Sequence, residues 1–293
     1  MGNLEDQITD AKFLERLRVL NPARQKAKLE RFYSDLPTNN FDWVFELQKY
    51  ADWETGKGAQ VLWVEDGTGA GYTILTLKVL HRLISPSHGS QLETSGPHSV
   101  AYSFCGDGCR YRWEDSEEDR GKGDEQILAS WILQDLLYSL LSQDPKLLSA
   151  MRTKNAGVVN QLGTRSYSLT QKLLRDALEE QTSKSHMVYL VIDCRHPEIQ
   201  KAHEALGLIV SQFSQFPGIR WMISSDSTPS RLWTSTATSK LVLSCVDIVE
   251  AFGLGEVNTL IRHFGEVLDQ FTKVFGSHQR LARKTCHGSS TQL

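Results

Sequence analysis

The stretch from Gln60 to Leu80, QVLWVEDGTGAGYTILTLKVL, constrains this chain more than any other segment, because an apolar run, a glycine-rich turn and an amphipathic run follow one another directly. Val61 to Val64 predicts a strand, and Tyr72 to about residue 84 predicts a helix. A strand that feeds a helix through a glycine turn is the setting of a phosphate-binding loop, whose backbone N–H groups wrap phosphate oxygens. The working form of that loop reads G-x-x-x-x-G-K-S/T, and its lysine meets the β- and γ-phosphate charge. Here Asp66 stands at the first glycine position and Tyr72 at the lysine position, while Gly69, Gly71 and Thr73 stay in register. Thr73 occupies the place of the hydroxyl that meets magnesium. The segment keeps the layout of the loop and lacks its cation.

With 293 residues and 40% apolar content, the chain can bury the core of one large α/β domain with helical additions. Its net charge of -3, from 32 basic and 35 acidic residues, supplies no global field for nucleic acid or an anionic membrane, and neither is an expected partner. The longest apolar runs, such as Met187 to Ile192, are strand-sized, and the start MGNLEDQITD has no secretory h-region. A cytoplasmic protein is therefore expected. N-myristoylation at Gly2 is disfavoured, since Asp6 stands where that motif takes Ser or Thr. The five cysteines, Cys105, Cys109, Cys194, Cys245 and Cys286, lack a C-x-x-C framework and fit reduced thiols. A zinc set of Cys105, Cys109, Cys194 and His196 ranks below the plainer reading, in which Cys105 and Cys194 fill small apolar positions at strand ends.

The remaining pattern alternates strands and helices. Two helices are expected within residues 10 to 36, separated at Asn21-Pro22, and a third short one over Phe41 to Tyr50. Strands are expected at His98 to Phe104, Met187 to Asp193, Ile219 to Ser224 and near Lys240 to Leu243. Helices are expected at about 126 to 142, ended by Asp144-Pro145, and at about 169 to 180, 198 to 215 and 257 to 275. Between Glu114 and Glu125 there are seven carboxylates, which read as a solvated loop. The Gly56-Lys57-Gly58 segment precedes its strand and reads as a turn. Continuous apolar strands such as MVYLVID mark a parallel sheet buried on both faces. The expected fold is α/β, a doubly wound, mainly parallel sheet with helices on both faces, as in P-loop NTPases, plus an N-terminal helical segment. The expected organisation is a helical lead-in over 1–50, the core over 51–245, a helical extension over 246–275 and a disordered tail over 276–293.

Six ordered segments resemble the NACHT-type P-loop NTPases of fungi, the central module of NOD-like (STAND) signalling proteins. FLERLRVLNPARQKAKLE and WVFELQKYADW are similar to that family's lead-in and its tryptophan-bearing helix. VLWVEDGTGAGYT is similar to its LLWI-x-G-x-P-G-x-G-K-T, and AYSFC to its Y-F-F-C strand. ILASWILQDLLYSLLSQDP resembles its helix before a Q-x-P turn, VYLVIDCRHPE its Walker B strand, and IRWMISSDS its K-W-x-x-S-S-R segment.

The resemblance implies roles at specific positions. Asp193 matches the first acidic residue of I-D-A-L-D-E-C, which holds magnesium. His196 and Pro197 stand where the family has the acidic residues that orient water, and Glu198 is one residue out of register. Asp226 replaces the arginine after S-S. Loss of the lysine removes a cation from chemistry that depends on electrostatics and positioning. A carboxylate at Asp66 near phosphate adds roughly 3 to 4 kcal/mol of repulsion at about 4 to 5 Å and an effective dielectric near 20. That is about two to three decades of affinity. Arg220 and Lys78 are the basic residues considered as compensation.

These residues support a degenerate NACHT-type module that does not hydrolyse nucleotide and acts through protein partners, full-length NACHT proteins among them. No 33- to 45-residue repeat is visible, so a truncated relative is expected. No cofactor is certain. Weak Mg-ATP or Mg-ADP binding would use Gly69, Gly71, Tyr72 and Thr73, with Thr73 and Asp193 on the metal. The bland reading of that pair is a helix-start residue and a strand-end cap. A slow NTPase built on Thr73, Asp193 and Glu198 is the second reading. The third is an accessory protein holding another ligand in a cleft lined by Tyr72, Trp63 and Trp221. His81, His203 and His263 are expected in structural or solvent roles, and Ser224-Ser225 has no nearby His/Asp pairing in sequence to make a hydrolase triad.

Overall fold

The computed structural model describes residues 9–17, 21–34, 38–66, 72–85, 97–105, 124–157, 166–184, 186–194, 199–225 and 238–243. The chain divides into two units, 1–244 and 245–293, and every described residue lies in the first. The expected helix over 257–275 and the tail beyond it lie outside the described residues, as does the acidic segment up to residue 123.

Five strands form one parallel sheet: β1 (Val61–Asp66), β2 (His98–Phe104), β3 (Met187–Cys194), β4 (Ile219–Ser225) and β5 (Thr238–Leu243). Their spatial order is β2-β3-β4-β1-β5, with all four pairings parallel. The helices that cover the sheet are α4 (Tyr72–Ile84), α5 (Asp124–Gln143), α7 (Tyr167–Thr182) and α8 (Ile199–Phe213). The chain leaves β1 in one direction and returns from β2 through β3 to β4 in the other. With right-handed crossovers, that reversal sends the connecting helices to opposite faces. The doubly wound α/β architecture expected from the sequence is present.

Alternation along the strands separates the two faces. Val61 and Trp63, Ala101 and Cys105, Val188 to Cys194 in steps of two, and Ile219, Trp221 and Ile223 join one core cluster with α5, α7 and α8. The intervening residues face the other way, where α4 packs against β3 and β4. The helix α5 is buried on almost every side from Leu128 to Leu141, which explains why its sequence carries apolar residues beyond one stripe. Its polar residues have specific tasks: Ser139 Oγ donates to the Tyr102 carbonyl at 3.1 Å and Gln143 Nε2 to the Val100 carbonyl at 2.8 Å.

The lead-in contains α1 (Asp10–Leu17), α2 (Pro22–Phe32), a 3-10 stretch over Thr38–Glu46 and α3 (Gln48–Glu54). Asn21 starts α2 by accepting from the Arg24 N–H at 3.2 Å, with Pro22 at the first helical position. Phe13 and Leu17 of α1 enter the core beside α5. The single helix expected over 41 to 50 is instead two pieces, because Leu47 adopts an extended conformation (φ -68°, ψ 130°) and begins α3.

A second difference lies at Asp144-Pro145. The pair ends α5 and also starts α6 (Pro145–Lys154), a helix the sequence reading did not include. Asp144 accepts from the Lys146 and Leu147 N–H groups at 2.9 and 3.1 Å, and Pro145 needs no hydrogen bond at the first position. Burial opposes ionisation of Asp144, but hydrogen bonds from the Leu147 N–H, Gln181 and the Lys146 N–H outweigh it and lower its pKa.

One buried ionic group joins the lead-in to the sheet. Glu54, at the end of α3, is 2% exposed and receives Arg82 Nε at 2.6 Å, Arg82 Nη2 at 3.1 Å and the Tyr50 hydroxyl at 3.1 Å. The Arg82 guanidinium lies over the Phe45 ring, 4.8 Å from its centre. Beside it, the Tyr189 hydroxyl donates to the Glu54 carbonyl at 2.5 Å, and Trp53 Nε1 donates to the Trp221 carbonyl at 2.8 Å.

Glu54→Ala should lower unfolding stability by about 3 kcal/mol in urea titration, because it strands the Arg82 charge and the Tyr50 hydroxyl. A change within about 0.5 kcal/mol would show that solvent takes over both groups. Asp144→Ala should cost about 1 kcal/mol at neutral pH. A carboxyl whose folded pKa is depressed stabilises above its unfolded pKa of about 3.9 and loses that share as pH falls through the folded value. The difference between the two proteins should therefore shrink in that acid range, as followed by urea midpoints.

Candidate functional site

The functional candidate is the C-terminal edge of the sheet, where β1 leads toward α4 and β3 toward α8, the place where open α/β sheets bind ligands. Helix α4 begins at Tyr72, so the position that carries lysine in a working loop opens the helix and Thr73 is its second residue. Thr73 is 1% exposed, and among the described residues its buried Oγ1 has no hydrogen-bond partner. Such an orphan is uncommon and costly in a folded protein.

One turn further along α4, Thr76 and Ser224 place their hydroxyl oxygens 3.1 Å apart. Ser224 Oγ donates to Asp193 Oδ1 at 3.0 Å, and Thr76 is then the donor to Ser224. Asp193 and Ser224 are register partners on β3 and β4, which is why their side chains meet on the face toward α4. The structure thus brings Asp193 to the α4 face on which Thr76 lies. Thr76 and Ser224 were not recognised in the sequence as parts of this site; the signals were the i, i+3 spacing from Thr73 and the pairing of β3 with β4.

Gly69 and Gly71 lie outside the described residues, as do His196, Pro197, Glu198 and Asp226, and the side chains of Asp66 and Tyr72. The Asp66 backbone ends β1, in register with Leu243 of β5. The two basic residues considered as compensation are engaged elsewhere. Lys78 Nζ donates to Asp42 at 2.7 Å. Arg220 sits at the opposite, N-terminal edge of the sheet, where it donates to the carbonyls of Gly56 at 2.7 Å, Ile219 at 3.1 Å and Pro217 at 3.3 Å. Gly56 has φ +75°, and a Cβ there would stand 3.0 Å from Arg220 Nη2, so this glycine is required by its turn. The Gly56-Lys57-Gly58 segment is the turn expected.

A cleft lined by Trp63 and Trp221 is not found. Both rings are fully buried on the α5 and α8 face, away from α4, with Trp221 near the start of β4. Ser224 and Ser225 have acidic and histidine neighbours that are near in space but distant in sequence. His203 Nε2 lies 3.3 Å from Ser225 Oγ and its ring meets Trp63 edge-on at 5.9 Å. No triad results, because successive residues of β4 point to opposite faces: Asp193 and Ser224 lie on one, His203 and Ser225 on the other. His203 is buried in a structural role, whereas His81 is a surface residue 2.9 Å from Glu30 Oε1. His263 lies outside the described residues. Of the zinc set, Cys105 and Cys194 come together in the core, and Cys109 and His196 lie outside the described residues. Among the described residues, no group of three or more His, Cys, Asp or Glu side chains is arranged to hold a metal ion.

Fit to a magnesium nucleotide is therefore partial. The buried Thr73 hydroxyl, which has no partner among the described residues, and the Asp193 carboxylate are hard oxygen donors of the kind magnesium takes. The two considered cations, Lys78 and Arg220, do not reach the phosphate position. Thr73→Val keeps the side-chain shape and removes the orphan, so without ligand it should raise the thermal midpoint by about 2–4 °C, as expected for roughly 1 kcal/mol. A lower midpoint in scanning calorimetry would mean that the hydroxyl already serves the fold.

Comparison with known proteins agrees with the motifs. Residues 39–226 match the family described as Nephrocystin 3, N-terminal. Vegetative incompatibility protein HET-E-1 of Podospora anserina is 24% identical over 232 residues, covering 78% of this chain and 15% of that protein. The chain thus spans a small part of the length of that curated relative. No solved structure matches. Among the described residues, no helix is long and apolar enough to cross a membrane. The family match covers more than half of the sequence: the chain belongs to the Nephrocystin 3, N-terminal family and is related to the fungal NACHT-type proteins its motifs resemble.

Proposed function

We propose that this protein is a non-hydrolysing regulatory module of fungal NOD-like signalling that acts by contact with protein partners, full-length NACHT proteins being the first candidates. The observation that carries this reading is the mismatch at the start of α4. Thr73 and Asp193 match their motif positions in the sequence, while Tyr72 stands where the phosphate-binding lysine belongs. Asp66, His196, Pro197 and Asp226 extend the mismatch to the positions that, by resemblance, turn the loop, orient water and sense the γ-phosphate. Phosphoryl transfer needs positioned cations and an oriented nucleophile, and losing both stops turnover before it abolishes binding.

The orphaned Thr73 hydroxyl favours a second, compatible reading, in which a magnesium nucleotide binds weakly without being hydrolysed. Thr73 and Asp193 would hold the ion, which would neutralise phosphate charge. Thr76 and Ser224 would orient the Asp193 carboxylate. The division into a lead-in over 1–50, a core over 51–245 and an extension beyond it belongs to the same proposal.

ATP turnover by the full chain should equal that of a Thr73→Ala control, and turnover well above the control would sink the proposal. Thermal unfolding with about 1 mM ATP or ADP plus magnesium separates the two readings. Ligand at about 100 times its dissociation constant adds roughly 2.7 kcal/mol, a shift of several degrees for a chain of this size. A shift lost in Thr73→Ala marks a nucleotide-binding switch, and no shift marks a nucleotide-independent module. Asp66→Gly combined with Tyr72→Lys should restore about two or more decades of nucleotide affinity if the loop backbone is intact.

A further inference from the structure

Two cysteines outside the magnesium site meet at the same edge of the sheet. The Cys105 N–H donates to the Asp193 carbonyl at 2.7 Å, and Phe104 is the register partner of Asp193. The next pair along the two strands is therefore Cys105 and Cys194. Adjacent strands run about 4.8 Å apart, inside the range of about 4.4–6.8 Å between Cα atoms that a disulfide spans. Register partners point to the same face, and both thiols lie free in the core cluster beside α5. Ser103 Oγ lies 3.9 Å from Cys105 Sγ and donates to the buried carboxylate of Asp135 at 3.0 Å.

We propose that Cys105 and Cys194 form a redox-sensitive dithiol that a peroxide-class oxidant closes to a disulfide, fastening the ends of β2 and β3 directly beside Asp193. One thiol loses its proton and its sulfur attacks a peroxide oxygen; the O–O bond breaks, and the departing hydroxide takes up that proton, giving a sulfenic acid and water. The second thiol attacks that sulfur and expels a second water. In sum, two thiols and one hydrogen peroxide give one disulfide and two waters, sulfur losing the two electrons that oxygen gains. Both cysteines are buried in the core, which limits oxidant access and makes them react slowly. The dithiol thus responds to sustained oxidant, and the partner thiol captures the sulfenic acid before further oxidation. This property is independent of nucleotide binding.

The test uses the full chain in two forms, wild type and a background with Cys109, Cys245 and Cys286 changed to Ser, each held in hydrogen peroxide and mapped by non-reducing peptide mass spectrometry. Both should yield a Cys105–Cys194 linked peptide that dithiothreitol dissolves, with a higher thermal midpoint in the oxidised form. Cys194→Ala, which places the alanine of the resembling motif there, should abolish the link and the rise in midpoint. Sulfinic acid on either residue without linkage, linkage of Cys105 to Cys109 in the wild type, or unreacted thiols after prolonged exposure would overturn the proposal.

Discussion

Alternation along two neighbouring strands decides which chemistry this protein can assemble. In β3 and β4 every residue from Val188 to Ser225 that belongs to a strand is buried, so no side chain there escapes to solvent. Polar groups on these strands must find partners on whichever face the pleat assigns them. Asp193 and Ser224 find each other and Thr76 on the α4 side, and Ser225 finds His203 on the other. The pleat therefore holds Asp193 and Ser224 on one face and His203 and Ser225 on the other, so the four cannot form one set.

The Glu54 carboxylate shows how such a core tolerates charge. An isolated buried carboxylate would be expensive, and mutual attraction offsets that cost only when further hydrogen bonds complete the geometry. Arg82 supplies two bonds and Tyr50 a third, while the guanidinium spreads over the Phe45 ring. The partners come from α3, before the first strand, and from the last turn of α4, after the glycine turn. A displacement of α4 is thereby felt by the lead-in, and the reverse.

Much of the architecture was legible in the sequence because buried parallel strands announce themselves. MVYLVIDC has no polar residue before Asp193, and His98 to Phe104 is bounded by a Pro-containing linker on one side. The helix α6 was missed for a different reason: Asp144-Pro145 is at once a stop signal and a start signal, and reading it as a stop hides the capping of the next helix. The split near Leu47 was also unreadable, since it depends on one backbone conformation. At the candidate site, Thr73 and Asp193 could be named from motif register. The Thr76–Ser224 link could not, because it requires knowing which strand lies beside β3. Likewise Arg220 looked available in sequence, and only the parallel pairing places it at the far end of the sheet.

The sheet order places β2 at an edge, where a strand ordinarily exposes hydrogen-bonding groups to any passing chain. The Cys105 N–H points toward β3, so the carbonyls of Val100 and Tyr102 point away from it, and these are the two that Gln143 and Ser139 of α5 occupy. The helix thus acts as a false neighbouring strand made of side chains. A second polypeptide cannot extend the sheet on that side without first displacing both bonds, which protects the fold against edge-to-edge aggregation.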